Sequence, residues 1–254
     1  MFKFSGNAIP TKISPCPIKD AIAEIRFADS IPIEFLSGLI YNELKNSGKF
    51  QLNDLPKRLP INDIPQYVKI QDINLKYQPH YVIEANDNTE IRIGLNSIAV
   101  AVVSEYIGWN RYFENIKNVF NLINALNLIK NIERIGLRYS SFFDTKLFEN
   151  INLKLQVAKH DFKTTNTYIR SEWQYDNDSI CVLQLTNNAI FNEQGKPPVS
   201  GSLLDIDISS NSKTCSIEVV SEEFNKYHVI EKEIFFNLLT SDFIATLNPE
   251  YKYD

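Results

Sequence analysis

The chain lacks the glycine loops that cradle phosphates. Neither G-x-x-x-x-G-K-[ST] nor G-x-G-x-x-G occurs among its eight glycines, which removes the two commonest backbone sites for nucleotide phosphates. Cysteine is sparse: Cys16, Cys181 and Cys215 are odd in number and far apart, so neither a disulfide framework nor a paired-cysteine zinc site is expected and a reducing interior fits best. No signal-type apolar segment follows Met1-Phe2-Lys3-Phe4, and no run approaches the apolar length needed to span a bilayer. The expectation is a cytoplasmic protein without a membrane. A surplus of positive charge is also missing. The net charge of -5 argues against non-specific nucleic-acid binding, which needs a clustered positive field.

What the chain does contain is strand and helix periodicity. Its 254 residues, 44% hydrophobic and 22% charged, suit one large domain or two small, closely packed ones. Residues 21–27 alternate, with Ala23, Ile25 and Phe27 on one side and Glu24 and Arg26 on the other. A helix is expected next: Pro32 opens it, Ile33, Leu36, Ile40 and Leu44 form its apolar stripe, and Asn46-Ser47-Gly48 closes it. The proline-bearing stretch 51–66 reads as a surface loop. Strands are expected at 67–76, 81–85 and 90–103, the last ending in a run buried on both faces. A strong helix follows over 109–126, carried by Tyr112, Ile116, Val119, Phe120 and Ile123.

The second half opens on a strand at Ile132 to Tyr139, with Ile135, Leu137 and Tyr139 on one face and Arg134, Gly136 and Arg138 on the other. Its Arg-Ile-Gly-Leu repeats Arg92 to Leu95, which suggests a duplicated β-unit. Further strands are expected at 151–159, 167–175, 180–186, 202–209 and 214–220, then a helix from about Glu222, with Thr240-Ser241-Asp242 capping a last turn. Antiparallel strands followed by a long helix, twice, give an α+β fold of two similar units, 1–131 and 132–254, packed as one compact body. A TATA-binding-protein-like or helix-grip-like arrangement satisfies that order.

The candidate site residues are Arg26, Arg92, Arg134, Arg138, Tyr139, Trp109 and His228. Arginines inside strands suit fixed contacts to carboxylate or phosphate, yet the simplest reading is ion pairing within the sheet: Glu24 with Arg26, Glu90 with Arg92, Glu172 with Arg170, and Asp205 or Asp207 nearby. Gly136 removes a side chain from the arginine face, and an aromatic packed over it is the plain explanation. Trp109 reads first as a core anchor. His228 and Glu231 sit three apart on the last helix, a spacing that can orient metal ligands, but no second pair completes a set. Cys215 with His228 and an aspartate can be drawn as a nucleophilic constellation, as any chain this long allows. No catalytic residue, metal or cofactor is assigned.

Several ordered motifs nevertheless resemble a sporadically distributed, uncharacterised bacterial protein family. They are Pro17 to Phe27, Gly108-Trp109 with Phe113, Arg134-Ile135-Gly136-Leu137-Arg138-Tyr139, and His228, Ile230, Phe235-Phe236 and Leu239 to Asp242. The likeness covers nearly the whole chain, with Ser140-Ser141 standing where the family has Ile-Asn or a similar pair. It implies an accessory gene linked to mobile elements or phage defence and supplies no reaction. The leading expectation is a non-catalytic binding or regulatory protein that engages a protein partner or forms a homodimer. The alternative is an enzyme or sensor holding a small anionic or nucleotide-like ligand in a cavity between sheet and helix.

Overall fold

A computed structural model of the chain describes residues 9–251 apart from 155, 158–159, 162–165, 194 and 211–216. Alternation makes the first strand, β1 (Ile18–Phe27): Ala21, Ala23, Ile25 and Phe27 are fully buried while their neighbours face the other side. The helix α1 (Ile33–Ser47) buries Ile33, Leu36, Ile40 and Leu44 and stops where Gly48 takes a left-handed φ of 64°, the backbone state glycine reaches without a Cβ clash. An excursion follows, with β2 (Lys57–Arg58), α2 (Gln66–Gln71) and α3 (Ile73–Lys76). Next come β3 (Pro79–Ala85), β4 (Thr89–Gly94), β5 (Ser97–Val103) and the helix α4 (Trp109–Leu126).

The second half runs β6 (Ile132–Phe143), a small two-stranded sheet of β7 (Gln156–Val157) and β8 (His160–Asp161), and then β9 (Tyr168–Gln174), β10 (Ser179–Phe191) and β11 (Val199–Ser210). It closes with the long helix α5 (Ile217–Leu238) and α6 (Ser241–Thr246), the latter capped by the Thr240 side chain accepting from Phe243 N–H.

One antiparallel sheet collects the remaining strands in the order β2-β3-β4-β5-β1-β6-β11-β10-β9. The fold is α+β, and the expected succession of antiparallel strands and a long helix occurs twice. The first and second halves meet at the β1–β6 pair, where Glu24 stands opposite Gly136 and Ile25 opposite Ile135. From that seam β5, β4 and β3 extend one way and β11, β10 and β9 the other. The two Arg-Ile-Gly-Leu stretches do not occupy matching places: Arg134 to Leu137 lies in the seam strand β6, whereas Arg92 to Leu95 begins in β4, two strands from the seam. The seam neighbour of β6 is β1.

The core lies between one sheet face and the helices α1, α4 and α5. Tyr112, Ile116, Val119 and Phe120 of α4 and Phe224, Tyr227 and Ile234 of α5 are buried there, and Phe120 stacks on Phe224 with centroids 5.5 Å apart. Among the described residues no helix is long and apolar enough to cross a membrane.

Four local expectations need correction. Residues 67–76 form α2 and α3 rather than a strand: Pro65 sits at the N-cap of α2, and Val68 and Lys69 N–H both bond its carbonyl. The run 90–103 is two strands, broken where the Asn96 side chain bonds the Phe27 and Asp29 carbonyls. Among the described residues of 151–159, Gln156–Val157 pairs as a strand, in the separate small sheet, and 151–154 does not form one. The closing helix begins at Ile217, so 217–220 is helical, while 214–216 lies outside the described residues.

Candidate functional site

The seven candidate residues separate onto the two faces of the sheet. Arg26, Arg92, Arg134 and Arg138 lie on the face away from α1, α4 and α5, while Tyr139, Trp109 and His228 meet on the helix side.

On the first face, strand order turns the arginines into ion pairs. Arg26 Nε donates to Glu24 at 2.6 Å, and the same carboxylate oxygen accepts from Arg134 at 3.1 Å. Arg134 also reaches both oxygens of Asp207 at 2.8 Å, because β6 and β11 are neighbours. Gly136 is what allows this. A Cβ at that position would collide with the Arg134 guanidinium, so the glycine seats a guanidinium where an aromatic ring was expected.

Arg138 donates through Nε to both oxygens of Asp205, at 3.0 and 2.8 Å. Asp205 is buried and also accepts from Ser140 Oγ and from Gln184 at 3.3 Å. A buried carboxylate with this many donors is well compensated for lost water.

Arg92 binds Glu90 at 2.8 Å and extends across β5 to Asp20 at 3.4 Å. The strand it crosses places Ala99 and Ala101 on that face, set between Glu24 and Ile22 of β1 and Arg92 and Glu90 of β4. Small side chains there let one arginine span two inter-strand gaps of about 4.8 Å each. The same geometry explains why β5 is buried on both sides, as its continuous apolar run implied. Burial raises the Asp20 carboxyl above its usual range, opposed by Arg92.

These side chains floor a trough of about 790 Å³. Asp20, Glu24, Arg26, Glu90, Arg92 and Arg138 line its base, and Lys57, Leu59 and Tyr77 of the β2–α3 excursion form a wall. The Arg26 guanidinium lies 4.1 Å from the Tyr77 ring centroid, a cation–π contact that ties wall to floor. Four acidic and four basic side chains border the trough, adding Glu84 and Lys57 to those of the floor. Arg138 also borders a second depression of about 90 Å³ with Tyr168 and Gln184.

On the helix side, Tyr139 of β6, Tyr106 of the loop before α4, and His228 of α5 form a chain. The Tyr106 and Tyr139 hydroxyls are 3.2 Å apart, and the Tyr139 hydroxyl is 3.2 Å from His228 Nδ1. Trp109 stacks on His228 at 4.0 Å and 8°, and its Nε1–H donates to Asn225 at 3.3 Å. The tryptophan thus anchors the start of α4 to α5 by stacking. Burial pushes the His228 imidazole down to about 3, helped by Lys232, so the ring is neutral near pH 7 and the Tyr139 hydroxyl can donate to Nδ1.

One turn further along α5, Glu231 is buried and neither carboxyl oxygen has a hydrogen-bond partner among the described residues. Burial, with Asp207 and Asp205 across the sheet, holds it well above the usual carboxyl range.

Among the described residues no group of three or more His, Cys, Asp or Glu converges as a metal ion requires. Cys16 and Cys181 are free thiols, and Cys215, with the constellation drawn around it, lies outside the described residues. Tyr106 and Glu231 are the members of the interior cluster that sequence reasoning did not single out as site residues. Their only signal was position, Tyr106 just ahead of Gly108-Trp109 and Glu231 one turn after His228. Neither a family model nor a curated protein matches the chain.

Proposed function

We propose that the chain is a non-catalytic binding protein that holds a protein partner on the helix-free face of its sheet. The trough is the observation that carries this reading: an open depression of about 790 Å³, floored by fixed side chains of both signs. Balanced charge of this kind fits a protein segment that presents both acidic and basic groups, and fits a polyanion poorly, since each arginine of the floor already faces a carboxylate. The resemblance to the sporadically distributed bacterial family suggests an accessory system of the phage-defence or mobile-element kind, acting in the cytoplasm. The strand order either side of the seam favours an origin by internal duplication.

Two exposed positions test the reading. Arg138→Ala and Lys57→Glu should each lower capture of the cognate protein at least fivefold; Lys57 is well exposed and its change should leave the thermal midpoint where it is, whereas Arg138→Ala also removes the donor to both oxygens of buried Asp205 and should lower it. Arg134→Ala, which removes contacts to two carboxylates, should likewise lower the midpoint. Equal capture by wild type, Arg138→Ala and Lys57→Glu refutes the proposal.

A second reading has one observation in its favour: Arg26, Arg92 and Arg138 border the same trough, as a small anionic ligand would need. It differs from the expected sheet–helix cavity in lying on the open face. A phosphate or nucleotide titration that raises the thermal midpoint of wild type and not of Arg138→Ala would favour this ligand over a protein.

A further inference from the structure

The two edges of the sheet are finished differently. At one, β2 is only two residues long and is followed by Pro60 and the α2–α3 excursion, features that blunt strand addition. At the other, β9 pairs with β10 over seven consecutive residues without a bulge or a proline. Among the described residues no strand lies on its far side.

The backbone phase of β9 is fixed at both ends. Tyr175 N–H donates to the Ser179 carbonyl at 2.9 Å, and Asn187 N–H donates to the Thr167 carbonyl at 3.3 Å. Odd-numbered residues of the strand therefore turn their backbone groups toward β10, and the even-numbered Tyr168, Arg170, Glu172 and Gln174 turn theirs to the open edge. Arg170 and Glu172 are about half exposed and, among the described residues, bond along their own strand at 2.9 Å.

We infer that β9 is a self-pairing edge, and that a second copy of this chain adds to it antiparallel, with the two-fold axis at Ser171. Charge selects this register. With Ser171 opposite Ser171, Arg170 of each copy faces Glu172 of the other, and Tyr168 faces Gln174. Moving the axis to Arg170 puts arginine against arginine, and moving it to Glu172 puts glutamate against glutamate. Like charges directly opposite destabilise a strand pair. The favoured register also matches the backbone phase, since the residues that turn their N–H and C=O groups to the edge then meet each other and form on the order of eight hydrogen bonds. The product is a sheet twice as wide, with two troughs on one face. An edge contact this small makes a dissociable dimer.

Sedimentation over a range of concentrations should show a dimer for wild type. Arg170→Glu and Glu172→Arg should each be monomeric, and an equimolar mixture of the two should recover the dimer, because their charges are then complementary across the axis. Residues 170, 171 and 172 are all exposed, and circular dichroism verifies that the variants stay folded. Ser171→Cys should yield a cross-link between the two copies at residue 171 on mild oxidation, as the paired Cα atoms would lie within disulfide reach. A wild-type monomer at every concentration overturns the proposal. So does a dimer that both charge reversals leave intact, or one in which no link forms through residue 171. Because the edge lies outside the trough, loss of the dimer with partner capture retained separates this inference from the proposed function.

Discussion

The Arg134 guanidinium lies across Gly136, two residues along its own strand, and from there reaches Glu24 on one neighbouring strand and Asp207 on the other. Glycine normally weakens a strand interior; here it makes room for a clamp that ties three strands together at the seam.

Gly136→Ala should destabilise the protein by about 1–2 kcal/mol in urea unfolding, the magnitude of partly exposed charge-assisted hydrogen bonds. The atoms nearest the added methyl belong to the flexible end of Arg134, so the side chain is expelled and the backbone is kept. In an Arg134→Ala background the same change should be neutral or stabilising, since alanine suits a strand better than glycine. Additive effects in this double-mutant cycle would disprove the link between the two residues.

His228 makes stability fall on the acid side. Its folded imidazole sits at about 3 against an ordinary value of 6.5, so between those values the unfolded chain binds a proton that the folded protein refuses. Stability attached to this group is complete above pH 6.5 and declines toward pH 3, by up to about 1.4 kcal/mol per pH unit. His228→Phe, which keeps a ring under Trp109, should flatten the stability profile between pH 6 and 4. An unchanged slope in that window would show that the ring titrates freely.

Glu231 acts with the opposite sign. Its folded carboxyl is raised well above 4.5, so stability from this group is present below pH 4.5 and is lost as pH rises, when the unfolded chain ionises and the folded one does not. Glu231→Gln removes that dependence while preserving shape. The variant should gain on wild type in thermal midpoint as pH increases from 5 to 8. A gain that is the same at both ends would refute the buried-acid reading.

Much of this was legible in the residues. Alternation in Ala21 to Phe27 and the three-and-four spacing from Tyr112 to Ile123 each name one face of one element, and the strand and helix follow directly. The pairs Glu24–Arg26, Glu90–Arg92 and Arg170–Glu172 were readable because residues two apart share a strand face. Which aspartate Arg134 and Arg138 take depends on β11 lying beside β6, a long-range pairing that no local pattern encodes. The meeting of Trp109, Tyr139 and His228 was hidden for the same reason, since it needs α4, β6 and α5 in place together. Residues 67–76 misled because Tyr, Val and Ile favour strands, and a proline cap with tertiary context overrode that preference.

The pairing of every floor arginine with a carboxylate also bears on how fast the helix-free face can be reached. Opposite charges about 3 Å apart cancel one another well within the screening distance of about 8 Å at physiological ionic strength. A molecule diffusing toward the face meets little long-range field and is not steered to it. Docking there should proceed at the unguided rate of about 10⁵–10⁶ M⁻¹ s⁻¹ and respond weakly to added salt. For the proposed partner, discrimination would then come after encounter, when an incoming group must displace a resident carboxylate from its arginine to gain a place in the trough.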